Sequence, residues 1–125
     1  MSAAQGRILL VEDDPLLRDA FELLLVDAGY EVLQAGSGAE AIAAVNTWEP
    51  NLILLDMGLP DMNGLDVART LRADPDNANI VIVALTGRVG PEEKRACLAA
   101  GCNAYFGKPI SPRELLRKLP GLLSA

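Results

Sequence analysis

Histidine is absent from this chain of 125 residues, and cysteine occurs only twice. Cys97 and Cys102, with no imidazole to join them, cannot complete an ordinary zinc site, and they read as buried, reduced thiols. Positive charge is also scarce: 11 basic residues face 17 acidic ones, a net charge of −6. Neutralising phosphates needs a basic face, so direct binding of nucleic acid is not expected. No apolar run approaches the roughly 18 residues of a membrane span. The segment Met1 to Arg7 has no signal-peptide apolar region, and a cytoplasmic domain with no membrane partner is expected. At 50% hydrophobic, this length can bury a core without disulfides or structural metal. One domain over 1–125, with its core at about 7–119, is the expectation.

What the chain does have is a set of apolar runs that end in polar residues. The most apolar, Leu52-Ile53-Leu54-Leu55, meets Asp56 and then Met57-Gly58-Leu59-Pro60-Asp61-Met62-Asn63-Gly64. Such a run, bounded by Asn51 before it and by Gly and Pro after it, reads as a central parallel strand buried on both faces. Asp56 then lies at the carboxyl edge of the sheet, where open α/β sheets bind ligands. Ile8-Leu9-Leu10-Val11 leads into Glu12-Asp13-Asp14, Ile80 to Leu85 into Thr86-Gly87, and Ala104-Tyr105-Phe106-Gly107 into Lys108-Pro109. Tyr30 to Ala35 alternates as an edge strand does.

Between these runs apolar residues recur at helical spacing: Leu17, Ala20, Phe21, Leu24, Leu25 and Ala28; Ala41, Ile42 and Val45 with Trp48; Leu65, Ala68 and Leu71; Ala96, Cys97 and Ala100; Leu115, Leu116 and Leu119. Strand and helix alternate five times, which implies an α/β fold, a doubly wound five-stranded parallel sheet with helices on both faces. Capping signals separate structural polar residues from chemical ones. Asp14-Pro15 reads as an N-cap and first helical residue, leaving Glu12 and Asp13 for chemistry. Ser111-Pro112-Arg113-Glu114 reads as a capping box, Ser37 and Asn63 as caps, and Gly90-Pro91-Glu92-Glu93 as a helix start with acids suited to the dipole. Pro120-Gly121 should end or kink the last helix near Leu119.

Glu12-Asp13 after the first strand, Asp56 after the third, Thr86 after the fourth and Lys108-Pro109 after the fifth together resemble the receiver domain of two-component response regulators. Leu59 to Gly64 and Gly101-Cys102-Asn103-Ala104-Tyr105 strengthen the resemblance, which runs from Arg7 to Leu119. It implies a flavodoxin-like (βα)5 receiver fold and a phosphorelay role. A histidine kinase or histidine phosphotransfer protein would donate a phosphoryl group to Asp56, and a downstream output protein or domain would read the result. Mg²⁺ would be held by Asp13 and Asp56 directly, by Glu12 largely through water, and by the Gly58 carbonyl. This set suits an ion that prefers oxygen ligands and keeps several waters. Clustered carboxylates repel one another, so metal should bind before phosphate.

Among three lysines, only Lys108 lies at a strand end. The resemblance makes it a partner of Asp56 and then of a phosphoryl oxygen, with a cis bond to Pro109. Thr86 would donate its hydroxyl to another oxygen, and Tyr105 would be the aromatic switch that moves inward as the loop after the fourth strand shifts. The surface of the fourth helix, fifth strand and fifth helix would then change for a partner. By the same resemblance Gly58 and Arg88 would flank the path of a hydrolytic water, and slow autodephosphorylation is expected.

The chain is thus expected to be a phosphoacceptor and not an enzyme in the ordinary sense. A degenerate docking receiver would lack a site residue. A haloacid-dehalogenase-like phosphatase needs a second Asp where Gly58 stands, and a flavin-binding protein needs a hydroxyl-rich loop in place of Glu12-Asp13-Asp14. With the sequence ending at Ala125, the chain reads as either a stand-alone receiver or one excised from a larger protein such as a hybrid kinase.

Overall fold

The structure, a computed structural model, describes residues 6–124, so Met1 to Gln5 of the segment read for a leader, and Ala125, lie outside the described residues. Apolar runs form β1 (Arg7–Val11), β2 (Glu31–Ala35), β3 (Leu52–Asp56), β4 (Val81–Thr86) and β5 (Ala104–Gly107). Between and after them lie α1 (Pro15–Asp27), α2 (Gly38–Trp48), α3 (Gly64–Ala73), α4 (Pro91–Ala99) and α5 (Pro112–Leu123). The strands make one parallel sheet in the order β2-β1-β3-β4-β5. Every residue of the central strand β3 is buried, whereas β2 at the edge alternates exposed and half-buried positions as its pattern foretold.

Alternation along the strands divides the core in two, because successive side chains point to opposite faces. Leu9, Val11, Ile53 and Leu55 face Ala41 and Val45 of α2, Val67, Ala68 and Leu71 of α3, and Cys97 of α4. Ile8, Leu10, Leu52 and Leu54 face Phe21 and Leu25 of α1 and Leu115 and Leu119 of α5. Each such aliphatic side chain removed from water contributes about 1.5–3 kcal/mol, so both faces are needed to hold the sheet flat between its helices. Cys97 and Cys102 are both free and buried, and burial pushes the Cys102 thiol up to about 11.

Two helices show details that their sequence patterns do not carry. In α1 only Phe21 and Leu25 are buried; Ala20 is exposed, and Leu17 and Leu24 keep 39% and 37% of their surface. The reason is tertiary: α1 shares its side of the sheet with α5, and Leu24 lines an open furrow against the start of α5 while Leu17 lines another against Lys108, Pro109 and Ile110 just before it. Pro120 does not end α5, which continues to Leu123. Proline removes one donor from the ladder. The turn nevertheless closes through Ser124 N–H to the Pro120 carbonyl at 3.1 Å, and Leu122 and Leu123 pack on the α1–α5 core. A 3-10 helix at Pro75–Asn77 was not foreseen. The Arg72 guanidinium anchors it, donating to the carbonyls of Asn77 and Gly101 and to Asn103 Oδ1 at 2.7, 2.9 and 2.6 Å.

Candidate functional site

Parallel strands all end at the same edge, and here four neighbouring ends carry polar groups: Glu12 and Asp13 after β1, Asp56 on β3, Thr86 on β4 and Lys108 after β5. Helix caps hold the connecting loops in place. Asp14 accepts from Leu16 N–H at 3.0 Å and Leu17 N–H at 3.5 Å, so its carboxylate is committed to α1. Ser37, Asn63 and Ser111 likewise accept from backbone N–H groups in the first turns of α2, α3 and α5. Gly64 opens α3 where a Cβ would come within 2.7 Å of Met57 Cα, so a side chain there would push the helix off the end of β3. Arg18 reaches from α1 to the Glu12 carbonyl at 2.6 Å and steadies the loop after β1.

Asp56 is 2% exposed, and its Oδ1 accepts from Lys108 Nζ at 2.6 Å and from Gly58 N–H at 3.0 Å. Lys108 Nζ also lies 3.7 Å from Glu12 Oε1. Burial works against the Lys108 ammonium, yet the hydrogen bond and charge of Asp56, with help from Glu12, hold its pKa above the ordinary lysine value. The peptide bond from Lys108 to Pro109 is cis. Asp13 is exposed, but one of its oxygens lies within 4.8 Å of oxygens from Glu12 and Asp56. Three hard oxygen donors around one lysine leave an excess of negative charge, which is what a small divalent cation requires.

Glu12 registers that excess. Desolvation in its buried position, with contributions from the Asp13 contact and the nearby Asp56 charge, raises its pKa from 4.5 to about 7. The sign of the effect on stability follows. Between pH 4.5 and 7 the unfolded chain has released this proton while the folded one keeps it, so Glu12 makes stability fall as pH rises through that window and adds no further change above it. Glu12→Gln can keep the acceptor for Asp14 N–H, 3.2 Å away. It is expected to remove a decline of at most about tenfold in the folding equilibrium per pH unit, the limit for one proton. Denaturant titrations in chelator at pH 5, 6 and 7.5 check this; parallel pH profiles for the two proteins would refute it.

Thr86 is 3% exposed, and its hydroxyl faces the loop and α4. Its Oγ1 accepts from Arg88 N–H at 3.1 Å and lies 3.1 Å from the Arg88 carbonyl and 3.3 Å from Glu93 Oε1. Gly58 and Arg88 line one cleft together with Thr86 and Glu93. Tyr105, half-buried in β5, packs on the core face that holds Cys97. Sequence reasoning brought Glu12, Asp13, Asp56 and Lys108 to one place, and the structure places them together. It missed Glu93, visible in the sequence only as an acid suited to a helix start, and Arg18, whose spacing carried no signal of the Glu12 carbonyl.

Comparison with known proteins agrees with this geometry. Residues 8–120 match the model for the response regulator receiver domain. The chain is 38% identical over 119 residues to the DNA-binding response regulator MtrA of Mycolicibacterium smegmatis, covering 95% of this chain and 51% of MtrA. It is also 38% identical to the phosphate regulon regulatory protein PhoB of Pseudomonas aeruginosa, over 93% of this chain and 51% of PhoB. It thus spans about half the length of these curated relatives. The chemotaxis response regulator CheY4 of Vibrio cholerae superposes with a TM-score of 0.89 at 30% identity, covering 97% of this chain and 99% of CheY4. The receiver domain of sensor kinase PA1611 of Pseudomonas aeruginosa, which has a magnesium ion in its active-site cleft, gives 0.87 at 33% identity over 98% and 100%.

Proposed function

The chain belongs to the response regulator receiver domains, a family of phosphorylation-dependent signalling, and from that premise we propose that Asp56 is its phosphoacceptor. The observation that carries the proposal is a buried carboxylate held 2.6 Å from a lysine inside an acidic cluster at the sheet edge. An oxygen of Asp56 attacks the phosphorus of a phosphohistidine on a histidine kinase or phosphotransfer protein. The P–N bond breaks as the new P–O bond forms, and the result is an acyl phosphate. Charge spreads over the equatorial oxygens in the transition state, so catalysis rests on positioning and on neutralisation.

Lys108 moves from the Asp56 oxygen to a phosphoryl oxygen. Glu12, Asp13 and Asp56, with the Gly58 carbonyl, would hold Mg²⁺, and their all-oxygen donor set fits that ion. When bound it supplies positive charge against the phosphoryl oxygens. Thr86 turns its hydroxyl to another of these oxygens, the loop after β4 follows, and Tyr105 moves inward, which alters the surface of α4, β5 and α5 for an output partner. The net charge of −6 opposes direct contact with nucleic acid, so any effect on DNA is indirect. Among the described residues no helix is long and apolar enough to cross a membrane; a cytoplasmic location follows from the phosphorelay reading itself, whose kinase partner donates its phosphoryl group there.

Incubation with acetyl phosphate and Mg²⁺ tests the reading: intact mass should rise by one phosphoryl group, labile to hydroxylamine and absent when the metal is chelated before acetyl phosphate is added. No such adduct under any of these conditions would overturn it. The lifetime of the adduct gives a further prediction. A Cβ at Gly58 would sit 3.8 Å from Asp56 Oδ1, in ordinary contact, so asparagine fits there and its amide can orient a water. Arg88 across the same cleft can cover the phosphoryl group. Slow autodephosphorylation is expected, and Gly58→Asn with Arg88→Glu should speed it several-fold. The check is first-order loss of phosphate in excess Mg²⁺, and a double mutant no faster than wild type refutes these roles.

A further inference from the structure

Thr86 has one hydroxyl proton and more than one acceptor for it. Its acceptors are the Arg88 carbonyl at 3.1 Å and Glu93 Oε1 at 3.3 Å, while Asp56 is engaged by Lys108 and Gly58. Because Thr86 is only 3% exposed, water cannot readily replace a lost partner, and the hydroxyl must choose among protein groups. Glu93 occupies the first turn of α4. Building on the phosphoacceptor role of Asp56, we propose that Glu93 is an off-state latch, a positioning residue whose carboxylate holds the Thr86 hydroxyl on α4 and away from Asp56.

The latch follows from charge and from proton count. A phosphoryl group on Asp56 brings a charge of about −1.5 to −2 and strong acceptor oxygens to the end of β3, the strand paired with the one that carries Thr86. It competes with Glu93 for the same proton. Thr86 cannot serve both, so capture by one group frees the other. The released end of α4 is built to move. It starts at Gly90, with φ +142 and no side-chain cap. The far end is fastened, since Arg72 binds the Gly101 carbonyl and Asn103 just beyond the helix. Release of Glu93 therefore swings the first turn of α4 about a fixed end. The free energy that Glu93 contributes to the resting state is taken from the affinity of the active one.

The test uses beryllium fluoride, a phosphoryl mimic, titrated in Mg²⁺ while the Thr86 amide and methyl signals are followed by NMR. Glu93→Ala should tighten binding roughly tenfold, the lower end for a hydrogen bond to a charged group, since the hydroxyl can fall back on Arg88. Glu93→Gln, nearly isosteric and still an acceptor, should give a smaller gain in the same direction and serves if the alanine variant folds poorly. In a Thr86→Val background, which lacks the hydroxyl and is followed through the Asp56 and Gly58 amides, Glu93→Ala should change nothing. Unaltered binding in both single Glu93 variants, or an equal gain with and without the Thr86 hydroxyl, overturns the latch and leaves the phosphoacceptor reading intact. Failure of the wild type itself to bind beryllium fluoride at Asp56 overturns both.

Discussion

Asp56→Asn is expected to abolish phosphoryl uptake while leaving the fold in place. The amide is nearly isosteric and its oxygen can still accept from Gly58 N–H, 3.0 Å away in the wild type, so the end of β3 keeps its backbone partner. What disappears is the anion. An amide oxygen is a poor nucleophile and cannot yield a stable acyl phosphate, and Lys108 is left with Glu12 as its acidic partner at 3.7 Å. Removing the Asp56 charge also relieves the repulsion that helps to raise the Glu12 pKa, so Glu12 should ionise at lower pH in the mutant. Intact-mass measurement after acetyl phosphate treatment, beside thermal unfolding of both proteins, decides the matter. Unchanged acid-labile phosphate on the mutant would remove Asp56 from the mechanism.

Adjacent acids after β1 should differ sharply in what their loss does. Asp13→Ala takes one of three carboxylates from a cluster whose oxygens lie within 4.8 Å of one another. It should weaken Mg²⁺ binding by more than the roughly 10–100-fold that follows loss of a residue merely supporting a ligand. Phosphorylation should fall with it. Asp14→Ala instead removes the acceptor for Leu16 and Leu17 N–H, and the expected cost is helix stability of about 1 kcal/mol with metal affinity near wild type. Calorimetric Mg²⁺ titration of the two mutants separates these outcomes. Trp48 lies at the far end of α2, stacked near Arg7, and is not a useful probe of this site. Metal binding lost in Asp14→Ala and retained in Asp13→Ala would place the register one residue off.

Strands were legible because a buried parallel strand is an unbroken aliphatic run, and the polar residue that ends it marks the sheet edge. Asp56 stood out for that reason. Less legible was anything decided between elements. Periodicity tells which side of α1 is apolar, but whether Leu17 and Leu24 are covered depends on how closely α5 and the residues just before it approach, and the furrows stay open. Local rules gave Pro120 as a stop or a kink, and packing of Leu122 and Leu123 carries α5 past it. Long-range polar contacts were likewise invisible. Asp61, in the loop after β3, accepts from the N–H groups of Gly38 and Ala39 at the start of α2, and no spacing rule joins residues so far apart. The Thr86 contact with Glu93 is a second case, set by the turn that begins α4.

Four strand ends supply the site, and Asp56 and Lys108 alone lie 52 residues apart along the chain. No segment can hold a remnant of it. β1, β3, β4 and β5 must all be paired, each across a long crossover whose closure costs chain entropy, before the acids and the lysine meet. A ligand that binds only this assembled edge stabilises the whole domain in proportion to the logarithm of one plus the ratio of its free concentration to its Kd. Mg²⁺ titration therefore doubles as an assay of how much of the population is folded. A core mutation far from Asp56 should raise the apparent Kd by the reciprocal of the folded fraction while the folded molecules keep their full intrinsic affinity. Weak signalling from a damaged receiver of this kind is a deficit of copies, curable by expression level or temperature, whereas damage at the edge itself is not.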